Sequence, residues 1–219
     1  MKIEMMTVGL LSTNCYFLIN PDKKTLIVDP GGSTEAIINK VKDENLEIVA
    51  VLLTHAHFDH FMSCNTVCKQ YDVPVYIYKD EYKLLYDPKL NMSAHFAQGS
   101  PVKLDADITV HRLKQKTVTI EDSFTFDVLH VPGHSPGSAC YYFKDKPIVL
   151  TGDTLFHYSI GRTDFSPYGD QDKLITNIHK KLLTLPDETI VYPGHGVHTT
   201  IGFEKRKNPY FMSLDELLS

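Results

Sequence analysis

The stretch Ile48-Val49-Ala50-Val51-Leu52-Leu53-Thr54-His55-Ala56-His57-Phe58-Asp59-His60 decides how the rest of the chain is read. Its first six residues are the longest clean apolar run in the sequence. That length and its β-branched content suit a strand buried on both faces. Three histidines and an aspartate then follow within six residues. In a turn or an extended segment His55 and His57 point the same way and can chelate one ion. Asp59 and His60 fall at the start of a helix read over Asp59 to Gln70 and aim towards a second ion. A lone histidine is usually a core or surface residue, but clustered imidazoles are costly to satisfy without a metal.

Outward from this segment the same arrangement recurs. Thr125 to Val131 runs into Pro132-Gly133-His134, Ile148 to Leu150 into Thr151-Gly152-Asp153, and Thr189 to Tyr192 into Pro193-Gly194-His195. Each strand delivers a donor just past its carboxyl end, after residues suited to a sharp turn, where open sheets bind their ligands. Imidazole and carboxylate suit zinc, manganese or iron, and the absence of thiolates from the pattern disfavours a closed structural zinc site.

The remaining pattern places strands at Lys2 to Val8, Cys15 to Asn20, Thr25 to Val28, Val75 to Tyr78, Val118 to Ile120 and Ala139 to Phe143. Gly31-Gly32 breaks the first group, and Ser33 is read as the cap of a helix carrying Ile37, Ile38 and Val41. Asp80 to Leu85 reads as helical and residues 86 to 107 as loop. Asp170 caps a helix with Leu174, Ile175, Ile178 and Leu182, and a short helix follows from Thr200. No repeat or low-complexity linker interrupts the chain. The expectation is one domain over residues 1–219, of α/β (α+β) class, with mixed sheets covered by helices.

Composition narrows the function. The 219 residues are 42% hydrophobic and 22% charged, with 22 basic against 27 acidic side chains and a net charge of −5. That balance argues against a nucleic-acid surface. No apolar run approaches the length of a membrane span, and the N-terminus lacks the layout of an export signal. A cytoplasmic protein without a membrane or nucleic-acid partner is therefore expected. The four cysteines, Cys15, Cys64, Cys68 and Cys140, are too few and scattered for a disulfide framework and read as small buried hydrophobes.

Thr54-His55-Ala56-His57-Phe58-Asp59-His60, followed by Gly133-His134, Gly152-Asp153 and Gly194-His195, resembles the metallo-β-lactamase superfamily. The glyoxalase II-like (hydroxyacylglutathione hydrolase-like) branch is the closer match. Its short members are resembled through Gly152-Asp153-Thr154-Leu155-Phe156, Ser159-Ile160-Gly161-Arg162-Thr163-Asp164, Tyr192-Pro193-Gly194-His195-Gly196 and Thr199-Thr200-Ile201-Gly202-Phe203-Glu204-Lys205 with Asn208-Pro209. The resemblance implies an αββα sandwich with metals at one edge. It assigns His55, His57 and His134 to a first ion, Asp59, His60 and His195 to a second, and Asp153 to a bridge.

The implied chemistry is hydrolysis of a small acyl-thiol substrate, a thioester resembling a hydroxyacylglutathione. Two divalent ions, zinc foremost and iron or manganese as alternatives, would acidify a shared water into a metal-bound hydroxide and polarise the carbonyl. Asp59 is the catalytic candidate, orienting the nucleophile or taking its proton. A thiolate leaves without a strong general acid, because a free thiol has a pKa of about 8.5. Only 24 residues follow His195, so a chain without the C-terminal helical extension of full-length glyoxalase II is expected. Arg162 and Lys205 are the candidate partners for substrate carboxylates in its place, although a loop pair and a solvated helix face explain them as well. His198 is a candidate ligand or substrate contact and His157 lies beside the motif. His95, His111, His130 and His179 have ordinary readings. The rivals are a persulfide dioxygenase-like oxidoreductase with one iron on His55, His134 and Asp153, a β-lactamase, which the missing export signal disfavours, or a lactonase or other ester hydrolase, and a non-catalytic metal-binding module. The acyl group, carrier thiol and oligomeric state stay open.

Overall fold

Six strands build a first sheet: β1 (Lys2–Val8), β2 (Thr13–Ile19), β3 (Lys24–Val28), β4 (Glu47–Leu53), β5 (Val75–Tyr78) and β6 (Val110–Leu113), in that spatial order. They belong to a computed structural model that describes residues 1–97 and 100–212. β1, β2 and β3 pair antiparallel, whereas β3 to β6 run parallel. All of β2 and most of β4 are buried, as an unbroken apolar run requires. By packing, these strands form one compact unit (Met1–Lys114 with Thr119–Phe124), and a second unit comprises Gln115–Val118 and the residues from Thr125 on.

Around the first sheet lie α1 (Thr34–Asp43), α2 (Phe58–Phe61), α3 (Cys64–Tyr71) and α4 (Ser93–Phe96). The single helix expected over Asp59 to Gln70 is instead α2 and α3, broken at Met62-Ser63. Ser63 N would bond Asp59 O in a continuous helix, but it donates to Pro30 O at 2.9 Å. Gly31 lies against that Asp59 carbonyl so closely that a Cβ there would stand 1.6 Å from the oxygen. The neighbouring chain thus takes over a bond of the helix ladder. Ser33 does not cap α1 through its side chain: it sits at φ 51° and its Oγ accepts from Gly9 N at 3.1 Å. Asp80 to Leu85 is not an α-helix but part of two 3-10 turns, Lys79–Glu81 and Leu84–Tyr86. Strand β6 falls where no element was expected. It pairs with β5 along one side only, with His111 and Arg112 exposed, so it shows no alternation to read.

The second unit carries β7 (Thr117–Ile120), β8 (Phe124–His130), β9 (Ala139–Phe143), β10 (Ile148–Gly152), the small hairpin β11 (Leu155–Phe156) and β12 (Ser159–Ile160), α5 (Gln171–Lys181), β13 (Ile190–Pro193), β14 (Thr199–Thr200) and α6 (Ile201–Lys207). β7 straddles the division between the units. The second sheet has the order β14-β13-β10-β9-β8-β7. β9 is antiparallel to both β8 and β10, and β13 is parallel to β10. The strands β8, β10 and β13 therefore point one way, and their carboxyl ends share one end of the sheet. Asp170 caps α5 by accepting from Lys173 N at 2.9 Å, and Thr200 caps α6 by accepting from Phe203 N at 3.2 Å. Leu174, Ile178 and Leu182 bury against Val131, Val149 and Val191. Two mixed sheets with flanking helices are the architecture expected for the metallo-β-lactamase fold. Among the described residues no helix is long and apolar enough to cross a membrane.

Candidate metal centre

In the first unit His55, His57, Asp59 and His60 are all buried just beyond β4. Their ring centres lie close, with His55 4.7 Å from His57 and 4.2 Å from His60. Parallel pairing of β3 with β4 brings Asp29, the residue after β3, beside this segment. Asp29 Oδ1 accepts from Thr54 N at 2.8 Å, and Oδ2 accepts from Thr54 Oγ1 at 2.6 Å. The single hydroxyl proton of Thr54 is thus committed to Asp29. Towards His55 Nδ1, 3.1 Å away, Thr54 can only accept. His55 therefore carries its proton on Nδ1 and presents Nε2 as a lone-pair donor. His60 repeats the logic, since its Nδ1 donates to Asp29 Oδ2 at 3.0 Å.

Two further side chains hold this segment. Glu81 has no solvent exposure, and its Oε2 accepts from Ala56 N, between the two histidines, at 2.8 Å. Thr13 Oγ1 donates to Asp59 Oδ2 at 3.0 Å and sets the rotation of that carboxylate.

In the second unit His134, Asp153 and His195 follow the carboxyl ends of β8, β10 and β13. His134 Nδ1 donates to Arg162 O at 2.7 Å, so its Nε2 is again the lone-pair nitrogen. That Nε2 lies 3.8 Å from Asp153 Oδ2, and His195 Nε2 lies 3.5 Å from the same oxygen. In the first unit His60 Nε2 is 3.5 Å from Asp59 Oδ2. A lone-pair nitrogen facing a carboxylate repels it unless a cation sits between them. Imidazoles whose second nitrogen is tied to a carboxylate or carbonyl are the form in which histidine binds metal. The donor chemistry of both units therefore fits divalent ions.

The remaining candidates are engaged elsewhere. Arg162 Nε and its terminal nitrogen grip Asp164 at 3.0 and 2.7 Å, and the guanidinium lies over the Phe165 ring. That pairing holds the Asp164 carboxyl below its usual range. Lys205 Nζ reaches Asp187 at 2.6 Å and Leu185 O at 3.3 Å. His198 is exposed beside Tyr192, and His157 is exposed against Phe203. All four cysteines are buried and free, and burial pushes the Cys68 and Cys140 thiols up to about 12. Asp29, Glu81 and Thr13 were missed by sequence reasoning. Asp29 alone had a local signal, a carboxylate directly after a buried strand and before Pro30-Gly31-Gly32.

Comparison with known proteins gives the family and the fold. Residues 8–195 match the family model described as the metallo-beta-lactamase superfamily. The chain is 42% identical over 96% of its length, and 97% of the relative, to a protein of Bacillus subtilis (strain 168) named probable metallo-hydrolase YqgX. It is 36% identical over 97% of its length, and 99% of the relative, to hydroxyacylglutathione hydrolase GloC of Haemophilus influenzae. Among solved structures, BLEG-1 B3 metallo-beta-lactamase superposes with a TM-score of 0.91 at 44% identity, covering 97% of this chain and 100% of that one. TTHA1623 in a di-iron-bound form gives 0.83 at 35% identity, covering 94% and 99%.

Proposed function

Because the chain belongs to the metallo-beta-lactamase superfamily, we propose that it is a dinuclear metallohydrolase that cleaves small acyl thioesters. The observation that carries the reading is the tying of Nδ1 on His55, His60 and His134, which leaves Nε2 as the donor on each ring. His55, His57 and His134 would hold one ion, Asp59, His60 and His195 the other, with Asp153 common to both. Zinc suits these donors first, with iron or manganese as alternatives, and the di-iron relative supports a two-ion site.

A bound pair of divalent ions supplies an acidified water and a Lewis acid for the acyl oxygen. The chain's own groups do the rest. Asp59, its rotation set by Thr13, orients the attacking water and accepts its proton. Asp29, directly for His60 and through Thr54 for His55, and the Arg162 carbonyl for His134 keep these three imidazoles in the tautomer that binds. The C–S bond then breaks with loss of a thiolate, which needs little protonation because a free thiol has a pKa of about 8.5. Identity with a hydroxyacylglutathione hydrolase over nearly the whole length supports this substrate class. Identity with a B3 metallo-beta-lactamase favours a second reading, a β-lactam amide.

The test is metal content by element on freshly purified protein, followed by a panel of glutathione and coenzyme A thioesters, a lactone, an oxygen ester and a β-lactam. About two ions per chain and kcat/KM highest on a thioester are expected. Asp153→Ala and His57→Ala should lower turnover by roughly a hundredfold or more, whereas His179→Ala, exposed on α5, should not. One iron per chain with oxygen uptake on a persulfide, or turnover of the β-lactam alone, would overturn the thioester reading.

A further inference from the structure

One buried carboxylate of the second unit takes no part in the reading above. Glu204 in α6 has no solvent exposure. Its Oε1 accepts from Thr199 Oγ1 at 2.6 Å, and its Oε2 accepts from Tyr158 N at 3.1 Å and Asn208 Nδ2 at 2.8 Å. All three partners donate: Thr199 lies in the segment leading into α6, Asn208 ends α6 itself, and Tyr158 comes from a distant segment.

Two of those segments run directly into candidate ligands. Thr199 closes the short stretch that begins at His195. Tyr158 lies in the turn of the β11–β12 hairpin, which starts just after Asp153. That hairpin returns at Gly161, packed so tightly on the Asp153 carbonyl that a Cβ would stand 1.7 Å from its oxygen. The next residue, Arg162, offers the carbonyl that takes His134 Nδ1. Phe156, at the entry to the turn, meets the His195 ring edge-on at 6.2 Å.

The hairpin does not rest there unaided. Tyr158 is held at φ 59°, in the left-handed region that costs a bulky side chain free energy, while the residue is only half exposed, with its ring edge-on to Phe203. The bond from its N–H to Glu204 holds this turn together with Asn208, whose Nδ2 also donates to Ser159 O at 3.1 Å, and with ring contacts of His157 and Tyr158 on Phe203 at 5.1 and 4.9 Å. Packing of α6 onto the core is the work of Ile201 and does not need an acidic neighbour.

We infer that Glu204 is a positioning residue for the metal centre: it fixes the hairpin and the 195–199 segment in one frame, and so sets His134, Asp153 and His195. This rests on the dinuclear reading. The test uses the full chain, stripped by a chelator and titrated with Zn²⁺ against a chromophoric competitor, with the Co²⁺ absorption spectrum recorded in parallel. Glu204→Ala should bind Zn²⁺ roughly 10–100-fold more weakly and shift the Co²⁺ bands. Glu204→Gln should stay within about threefold of wild type, because its amide oxygen still accepts from Tyr158 and Asn208 while the Thr199 hydroxyl turns to accept. Leu182→Ala, a core truncation in the same unit, should lower Tm yet leave affinity and spectrum unchanged. If Glu204→Ala does not fold, Thr199→Val removes one donor and should weaken Zn²⁺ binding several-fold with the same spectral change. Wild-type affinity and spectrum in whichever of these two variants is folded, or an equal loss in Leu182→Ala, would overturn the inference alone. A wild-type chain that takes up neither ion would overturn the dinuclear reading and this inference with it.

Discussion

Asp29 governs two of the imidazoles through three bonds. It accepts from the Thr54 amide, from the Thr54 hydroxyl and from His60 Nδ1. Replacing it with asparagine keeps the size but turns one acceptor oxygen into an NH₂ group. With its oxygen on the Thr54 amide, that NH₂ would confront the Thr54 hydroxyl proton and the His60 Nδ1 proton, donor against donor. Both histidines would then be pushed out of the tautomer that offers Nε2. Asp29→Asn is therefore expected to weaken metal binding by roughly 10–100-fold, read by chelator competition. A variant with wild-type affinity would show that tautomer control at His55 and His60 does not matter. At this scale the ligands were legible in the sequence and their supports were not. His55 follows its strand by two residues, a local pattern, whereas Glu81 reaches Ala56 across 25 residues and Thr13 reaches Asp59 across 46.

Between elements, β1 and α1 are clamped by charge. Lys2 and Lys40 both donate to Glu4, and Lys40 also bonds Glu44. These hydrogen bonds, that from Lys2 first and that from Lys40 second, hold the Glu4 carboxyl down at about 2, well below its ordinary 4.5. A carboxyl depressed in the folded state binds its proton more readily when unfolded. Its contribution to stability is therefore full above a pH of about 4.5 and is lost as the pH falls towards 2. Between those limits Tm of the wild type should fall more steeply than Tm of Glu4→Gln, and above pH 5 the two curves should run parallel. Identical slopes at acid pH would show that the clamp contributes nothing. The cost of the substitution at neutral pH should be small, about 1 kcal/mol or less, as for ion pairs near solvent. The boundaries of elements were less legible than their existence. The break at Ser63 depends on Pro30 and Gly31, which come from a distant part of the chain.

For the whole chain, the proposed ions couple to stability. Anything that binds only the native state raises its free energy of unfolding by about 2.7 kcal/mol at a free concentration one hundred times Kd. A domain of this size shifts by about 2–4 °C in Tm per kcal/mol. Removal of metal by a chelator should thus lower Tm by roughly 5–11 °C for each ion bound at that level, and Zn²⁺ in excess of the chelator should restore it. A Tm indifferent to both treatments would mean that the histidine–aspartate groups do not hold metal in the native state.

The sequence by itself determined the donor types, the strands that end in them and the mixed-sheet class. These follow from hydrophobic periodicity and turn chemistry, which act over a few residues. Tertiary structure alone decided which nitrogen of His55, His60 and His134 is left as the lone-pair donor, through Asp29 and the Arg162 carbonyl. It also split the helix at Ser63, recruited β6 to an edge, and gave Glu204 its three donors. Tautomer and helix continuity depend on hydrogen bonds between groups far apart in the chain, and so does the Tyr158 bond to Glu204, whereas its Thr199 and Asn208 partners lie within five residues. No local pattern encodes such partners, because they are set only when the strands pair and bring their ends together.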